Sequence, residues 1–135
     1  MPRFLLGGFL VLHGMVHLLY VGQALRLFEL SPGLTWPEGA WAFSRILTDR
    51  ATRTVAAIGC GFAAAGFIAS GAGILMGQSW SRLLVGVAAS FSALVFVLLW
   101  NGRLQRLPDQ GWVAVIINLA ILFSVFILHW PPIGF

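Results

Sequence analysis

Two histidines, His13 and His17, stand in the apolar run VLHGMVHLLY, residues 11–20. On a helix, residues four apart share one stripe. A buried pair of imidazoles can do four kinds of chemistry. Neutral rings can hydrogen-bond an amide, hydroxyl or carbonyl of a neighbouring helix. One ring can donate to the carbonyl of a quinone-like lipophile, with Asn118 taking the other end. His13 or His17 can ligate a metal or hold a b-haem, given further ligands. Imidazoles can also relay protons near neutral pH. A zincin is excluded, because Gly14 stands where HExxH needs its glutamate. A proton path usually carries Asp or Glu inside the membrane, and no apolar run here holds a carboxylate.

Composition tells what surrounds these rings. Hydrophobic residues make up 59% of the 135 and charged residues 9%, where a soluble domain carries about 25% charged. Mean hydropathy is +0.93. A water-facing surface cannot be built from so few charges, so the expected solvent is lipid. The net charge is +4, but the basic residues are scattered singly near the ends of apolar runs. No basic stripe with interleaved aromatics suggests nucleic acid. Every basic residue is arginine, which hints at a GC-rich bacterial genome. Cys60 is the single cysteine, so it reads as an inert small residue in a Gly/Ala-rich run. The first apolar run is too long for a signal-peptide core and ends in Arg26 and Glu29, which argues against cleavage.

Four apolar stretches are long enough to span a bilayer, which takes roughly 20 helical residues. They cover about residues 4–27, 52–76, 80–100 and 112–130. The expected fold class is all-α: a single domain, residues 1–135, forming an antiparallel transmembrane four-helix bundle. Asp49 is expected as the N-cap of the second span, Gly77-Gln78-Ser79 as a tight hairpin, residues 107–111 as a turn, and Pro131 and Pro132 as the end of the fourth span. Thr35-Trp36-Pro37-Glu38 reads as a capping box. Trp36, Ala40, Phe43 and Leu47 would then share a face of a short interfacial helix between spans one and two. The six tryptophans fall near span ends, as an aromatic belt does.

Arg26, Arg45, Arg50, Arg53, Arg103 and Arg106 flank the first and third connections, while Arg3 and Arg82 lie at the other end. The positive-inside rule predicts cytoplasmic connections and both termini outside, in a bacterial inner membrane. Glu38, Arg45, Asp49, Arg50 and Arg53 are expected to cluster at that surface as ion pairs and headgroup contacts. Small residues crowd the second span. Pairs such as Ala57/Gly61 and Gly66/Ser70 suit close helix packing within the bundle or a homo-oligomer, or room for a flat ligand.

A rise of ~1.5 Å per residue puts His13 and His17 roughly 14 and 20 Å from the outer end of span one, Ser90 and Ser92 roughly 15 and 18 Å from the outer end of span three, and Asn118 roughly 18 Å from the outer end of span four. All fall in one slab near mid-depth, where polar groups turn inward and find partners. Gly14 leaves space beside them. His129 lies near the outer end of its span and is expected to meet interfacial water.

The opening RFLLGGFLVLHGMVHLL, residues 3–19, resembles the first helix of the DoxX-like family and of small uncharacterised four-span bacterial membrane proteins opening HGxxHL. His17 stands where a lysine is common in DoxX-like chains. The resemblance implies a four-helix bundle and a loose association with membrane redox systems. No phosphate-binding loop, nucleophile triad or carboxylate pair is present. The leading expectation is a non-catalytic membrane subunit or lipophilic-ligand protein with a pocket at His13, His17, Asn118, Ser90, Ser92 and Gly14. A larger membrane complex is the other expected partner. The alternative is a redox protein holding haem b or quinone through His13 or His17.

Overall fold

In the computed structural model, which describes residues 1–130 and 132, every regular element is a helix. Helix α1 spans Pro2–Ala24, α2 Asp49–Leu75 and α3 Ser81–Leu99. These three are long and apolar enough to cross a membrane. Helix α4, Trp112–Leu122, continues through a π-helical turn at Phe123–Ile127. It is apolar too, but shorter than the others. Consecutive helices pack side by side, α1 on α2, α2 on α3 and α3 on α4.

Outward faces carry large apolar side chains such as Leu5, Leu12, Phe62, Leu83 and Ile116, all exposed. A contiguous surface of that kind suits lipid. The core forms two apolar clusters. One, at the end holding the first and third connections, contains Trp36, Cys60, Phe96 and Leu99. The other contains Leu10, Phe67, Ile74, Val85 and Val125.

Helix α2 is central because its small residues let neighbours approach. A Cβ on Gly71 would lie 2.7 Å from the carbonyl oxygen of Gly7 and 3.0 Å from the Val11 nitrogen. On the α3 side, a Cβ on Gly66 would meet Ala88 Cβ at 3.0 Å. At Gly66 and Gly71 the stripe is thus occupied by helix packing. Leucine at Gly71 has backbone in its way and must push α1 from α2. Gly71→Leu is expected to destabilise by about 3 kcal/mol or more, at the upper end of overpacking costs. Gly61→Leu, whose Cβ site is open, should cost far less. Detergent unfolding of the two variants checks the contrast.

Several local expectations are corrected. The N-cap of α2 is Thr48, whose hydroxyl accepts from the Ala51 amide at 3.1 Å. Asp49 is the first helical residue and pairs with Arg53 at 3.1 Å. Helix α1 stops at Ala24 rather than near Leu27, because the chain turns left-handed at Arg26, φ 59°. Gln23 holds that turn: its amide donates to the Leu34 carbonyl at 3.1 Å and accepts from Leu30 N–H at 2.8 Å. Arg26 donates to the carbonyls of Trp36 and Pro37, at 3.1 and 3.3 Å.

The interfacial helix does not form. Residues 35–48 make separate turns. Proline at 37 lacks an N–H, and Gly39 is left-handed, φ 63°, so no continuous ladder runs through this segment. Thr35 bonds the Glu38 carboxylate side chain to side chain, not as a reciprocal capping box. Trp36 is fully buried instead of lying in an interfacial belt. Its ring centroid is 5.1 Å from Tyr20 and 5.3 Å from Phe96. The connection therefore plugs the end of the bundle. Trp41 fastens it to α3, its amide donating to the Trp100 carbonyl at 2.8 Å and its indole to the Val97 carbonyl at 2.7 Å.

The Gly77–Ser79 hairpin is as expected, with left-handed Gly77 at φ 72°. Helicity in the last segment ends at Ile127 rather than near Trp130. Arg82 donates to the Val125 carbonyl in the π-helical turn at 2.9 Å. The expected stop at Pro131 lies outside the described residues, and Pro132 follows the helix end.

Candidate functional site

Four of the expected residues meet, from three helices, between the two apolar clusters. His13 Nε2 lies 3.0 Å from Asn118 Oδ1. Asn118 Nδ2 donates to Ser92 Oγ at 2.8 Å. Ser92 Oγ lies 2.6 Å from His17 Nε2, and His17 Nδ1 lies 2.9 Å from the His13 carbonyl oxygen. All four residues are buried.

The carbonyl sets the direction of the whole circuit. It can only accept, so His17 Nδ1 carries a proton and donates. In a neutral ring, Nε2 then accepts, and the Ser92 hydroxyl donates to it. Ser92 in turn accepts from Asn118 Nδ2. That orientation turns Asn118 Oδ1 toward His13, whose Nε2–H donates. Each bond has one donor and one acceptor with both imidazoles neutral. Flipping the Asn118 amide would reverse the chain and end with two acceptors facing at His17 Nδ1. The two histidines therefore differ: His13 is the Nε2–H tautomer and His17 the Nδ1–H tautomer. Three of the four ring nitrogens are engaged, and His13 Nδ1 has no hydrogen-bond partner among the described residues.

Aromatic rings enclose the circuit. Phe67 meets His13 edge-on at 4.7 Å and His17 at 5.2 Å. Phe96 lies 5.8 Å from His17, and Phe9 stacks on His13 at 5.7 Å. Helices α1 and α4 scarcely approach one another along their backbones, so the His13–Asn118 bond bridges an open seam. A groove of about 390 Å³ runs along it, lined by Phe9, Ile117, Ile121, Ser124 and Trp130 among others.

Two expected residues do not join. Ser90 is exposed: two residues from Ser92, it faces almost the opposite side of α3. Gly14 does not leave space, because a Cβ there would lie 3.0 Å from the Ala64 carbonyl oxygen and 2.9 Å from Ile68. His129 is exposed, with Nδ1 3.1 Å from the Ile127 carbonyl oxygen. Among the described residues, no group of three or more His, Cys, Asp or Glu side chains could hold a metal. Haem ligation by His17 would break one of its two bonds.

Sequence reasoning missed Phe9, Phe67 and Gln23, whose types are ordinary in apolar helices. It also placed Glu38 with Arg45, Asp49, Arg50 and Arg53. Within that set Asp49 pairs with Arg53, and Glu38 borders a polar cavity with Asn101 and Arg103 of the third connection. The fold and site define an all-helical protein with three helices able to cross a membrane. No family model, curated protein or solved structure matches the chain.

Proposed function

We propose that the chain is a non-catalytic integral membrane protein, a small subunit or binding protein, built as an antiparallel four-span bundle. The arginine distribution supports a bacterial inner membrane with both termini outside. The resemblance of residues 3–19 to DoxX-like openings agrees with this layout. In this reading the His13–Asn118–Ser92–His17 circuit holds α1, α3 and α4 in register. The seam between α1 and α4 takes a lipophilic molecule from the bilayer, with lipid and a larger membrane complex as surroundings.

The observation that carries the reading is the groove flanked by Phe9, which stacks on His13, the circuit histidine with an unengaged nitrogen, and stands between that ring and the groove. In its tautomer, His13 Nδ1 offers a lone pair. It therefore accepts a hydrogen bond, so a hydroxyl-bearing head such as a quinol suits it better than a quinone carbonyl.

The test is mass spectrometry of small molecules extracted from the detergent-purified protein. Wild type should retain a hydroxyl-bearing isoprenoid or similar lipophile. Phe9→Trp, which fills the groove without touching the circuit's bonds, should retain about tenfold less, the equivalent of about 1.4 kcal/mol. Wild type that retains only bulk lipid contradicts the reading.

A further inference from the structure

A second site lies at the arginine-rich end, where the first and third connections face each other. A polar cavity of about 310 Å³ is bordered by Glu38, Gly39, Asn101 and Arg103. A neighbouring one of about 180 Å³ shares Glu38, Asn101 and Arg103 and reaches Arg106, Asp109 and Gln110. Within it Arg106 and Asp109 neutralise each other at 2.7 Å. Glu38 and Arg103 form no ion pair among the described residues. Glu38 meets only the neutral Thr35 hydroxyl, and the Arg103 guanidinium makes no hydrogen bond there. One carboxylate and one guanidinium are left on the walls of one cavity. Gln110, 9% exposed, borders only the smaller cavity.

From this arrangement we infer that the cavity binds a zwitterion carrying a primary ammonium and an oxyanion, presented as the phosphoethanolamine head of a membrane phospholipid. The phosphate goes to Arg103 and the Asn101 amide. The ammonium donates to the Glu38 carboxylate. A choline head has no N–H to give, and its usual aromatic cage is missing from the walls lined by Glu38, Gly39, Asn101 and Arg103. A purely anionic head would leave Glu38 opposed to it.

The lipid source follows from what adjoins the cavity. Half-exposed Trp41 packs over Gly102, where an interfacial ring belongs. An apolar groove of about 360 Å³ between α2 and α3 is lined by Phe43, Phe62, Val95 and Leu98. Phe43 and Leu98 each lie within about one helical turn of chain from a cavity wall residue. The groove lies at the same end of α2 and α3 as the cavity, so an acyl chain in it runs toward the connections that carry Glu38 and Arg103.

The test is native mass spectrometry of the full chain in detergent. Phosphatidylethanolamine, phosphatidylcholine and phosphatidylglycerol of identical acyl chains are supplied in equal amounts. Wild type should retain the ethanolamine lipid about tenfold over the other two, the weight of one charge-assisted hydrogen bond. Glu38→Gln should erase the preference over choline, and Arg103→Gln should weaken all three. Both residues are exposed, so neither change threatens the fold. Phe9→Trp, at the α1–α4 groove, should leave the preference intact, so this site and that one fail separately. Equal retention of the three lipids, or an ethanolamine preference surviving in Glu38→Gln, overturns the site. Displacement of the lipid by equimolar soluble glycerophosphoethanolamine overturns the lipid source.

Discussion

Asn118→Leu should be among the most damaging substitutions in the chain. It keeps the branched shape, adds bulk at a fully buried position, and strands two polar groups, the His13 Nε2–H and the Ser92 Oγ lone pair. Each buried group left without a partner costs roughly 1–3 kcal/mol, so the expected loss is about 2–6 kcal/mol. Interhelical hydrogen bonds in membranes are worth only about 0.6 kcal/mol on average. The damage therefore comes from the orphans and not from the bonds removed. It follows that replacing all four members with apolar residues (His13→Leu, His17→Leu, Ser92→Ala, Asn118→Leu) should cost less than the four single changes summed. Unfolding by denaturing detergent, followed by far-ultraviolet circular dichroism, measures both. A sum equal to the combined variant would mean the four side chains act separately.

Trp36→Ala carries the second large effect. The indole is fully buried between Tyr20 and Phe96 at the end of the bundle. Removing it should cost about 3–5 kcal/mol, as large-to-small changes of aromatic core residues do. Trp36→Phe should cost about 1.5 kcal/mol or less. Trp36 Nε1 is buried without a partner, so phenylalanine loses area but also removes an unsatisfied donor. The same unfolding assay separates them. An interfacial Trp36 would make both variants nearly silent, which is the outcome expected had a surface helix formed.

Trp36 shows where sequence reasoning reached its limit. Trp36, Ala40, Phe43 and Leu47 have helical spacing, yet a wedge closing a bundle end needs the same apolar residues. Only tertiary packing distinguishes the two, once Pro37 and Gly39 interrupt the ladder. The long helices were legible because unbroken apolar runs leave the backbone few alternatives in lipid. Counting rise per residue put His13, His17, Ser92 and Asn118 at one depth, and the structure brings them together. The same count admitted Ser90, because depth ignores rotation and two residues along a helix turn it by about 200°. The last segment was overextended past Ile127, since hydropathy does not register a π-helical turn. Glu38 and Arg103 lie far apart in the chain, so their shared cavity left no local pattern to read.

The circuit makes one demand that no looser arrangement of these residues makes. The His13 carbonyl fixes a proton on His17 Nδ1, so two neutral imidazoles in this circuit must be of opposite tautomer. Nitrogen-15 NMR of histidine-labelled protein in lipid bilayers reads this directly, with His13→Leu and His17→Leu assigning the signals. The expected result is a proton on Nε2 of His13 and on Nδ1 of His17. Two rings of the same tautomer, or an imidazolium at His17, would contradict the circuit and the register it gives to α1, α3 and α4.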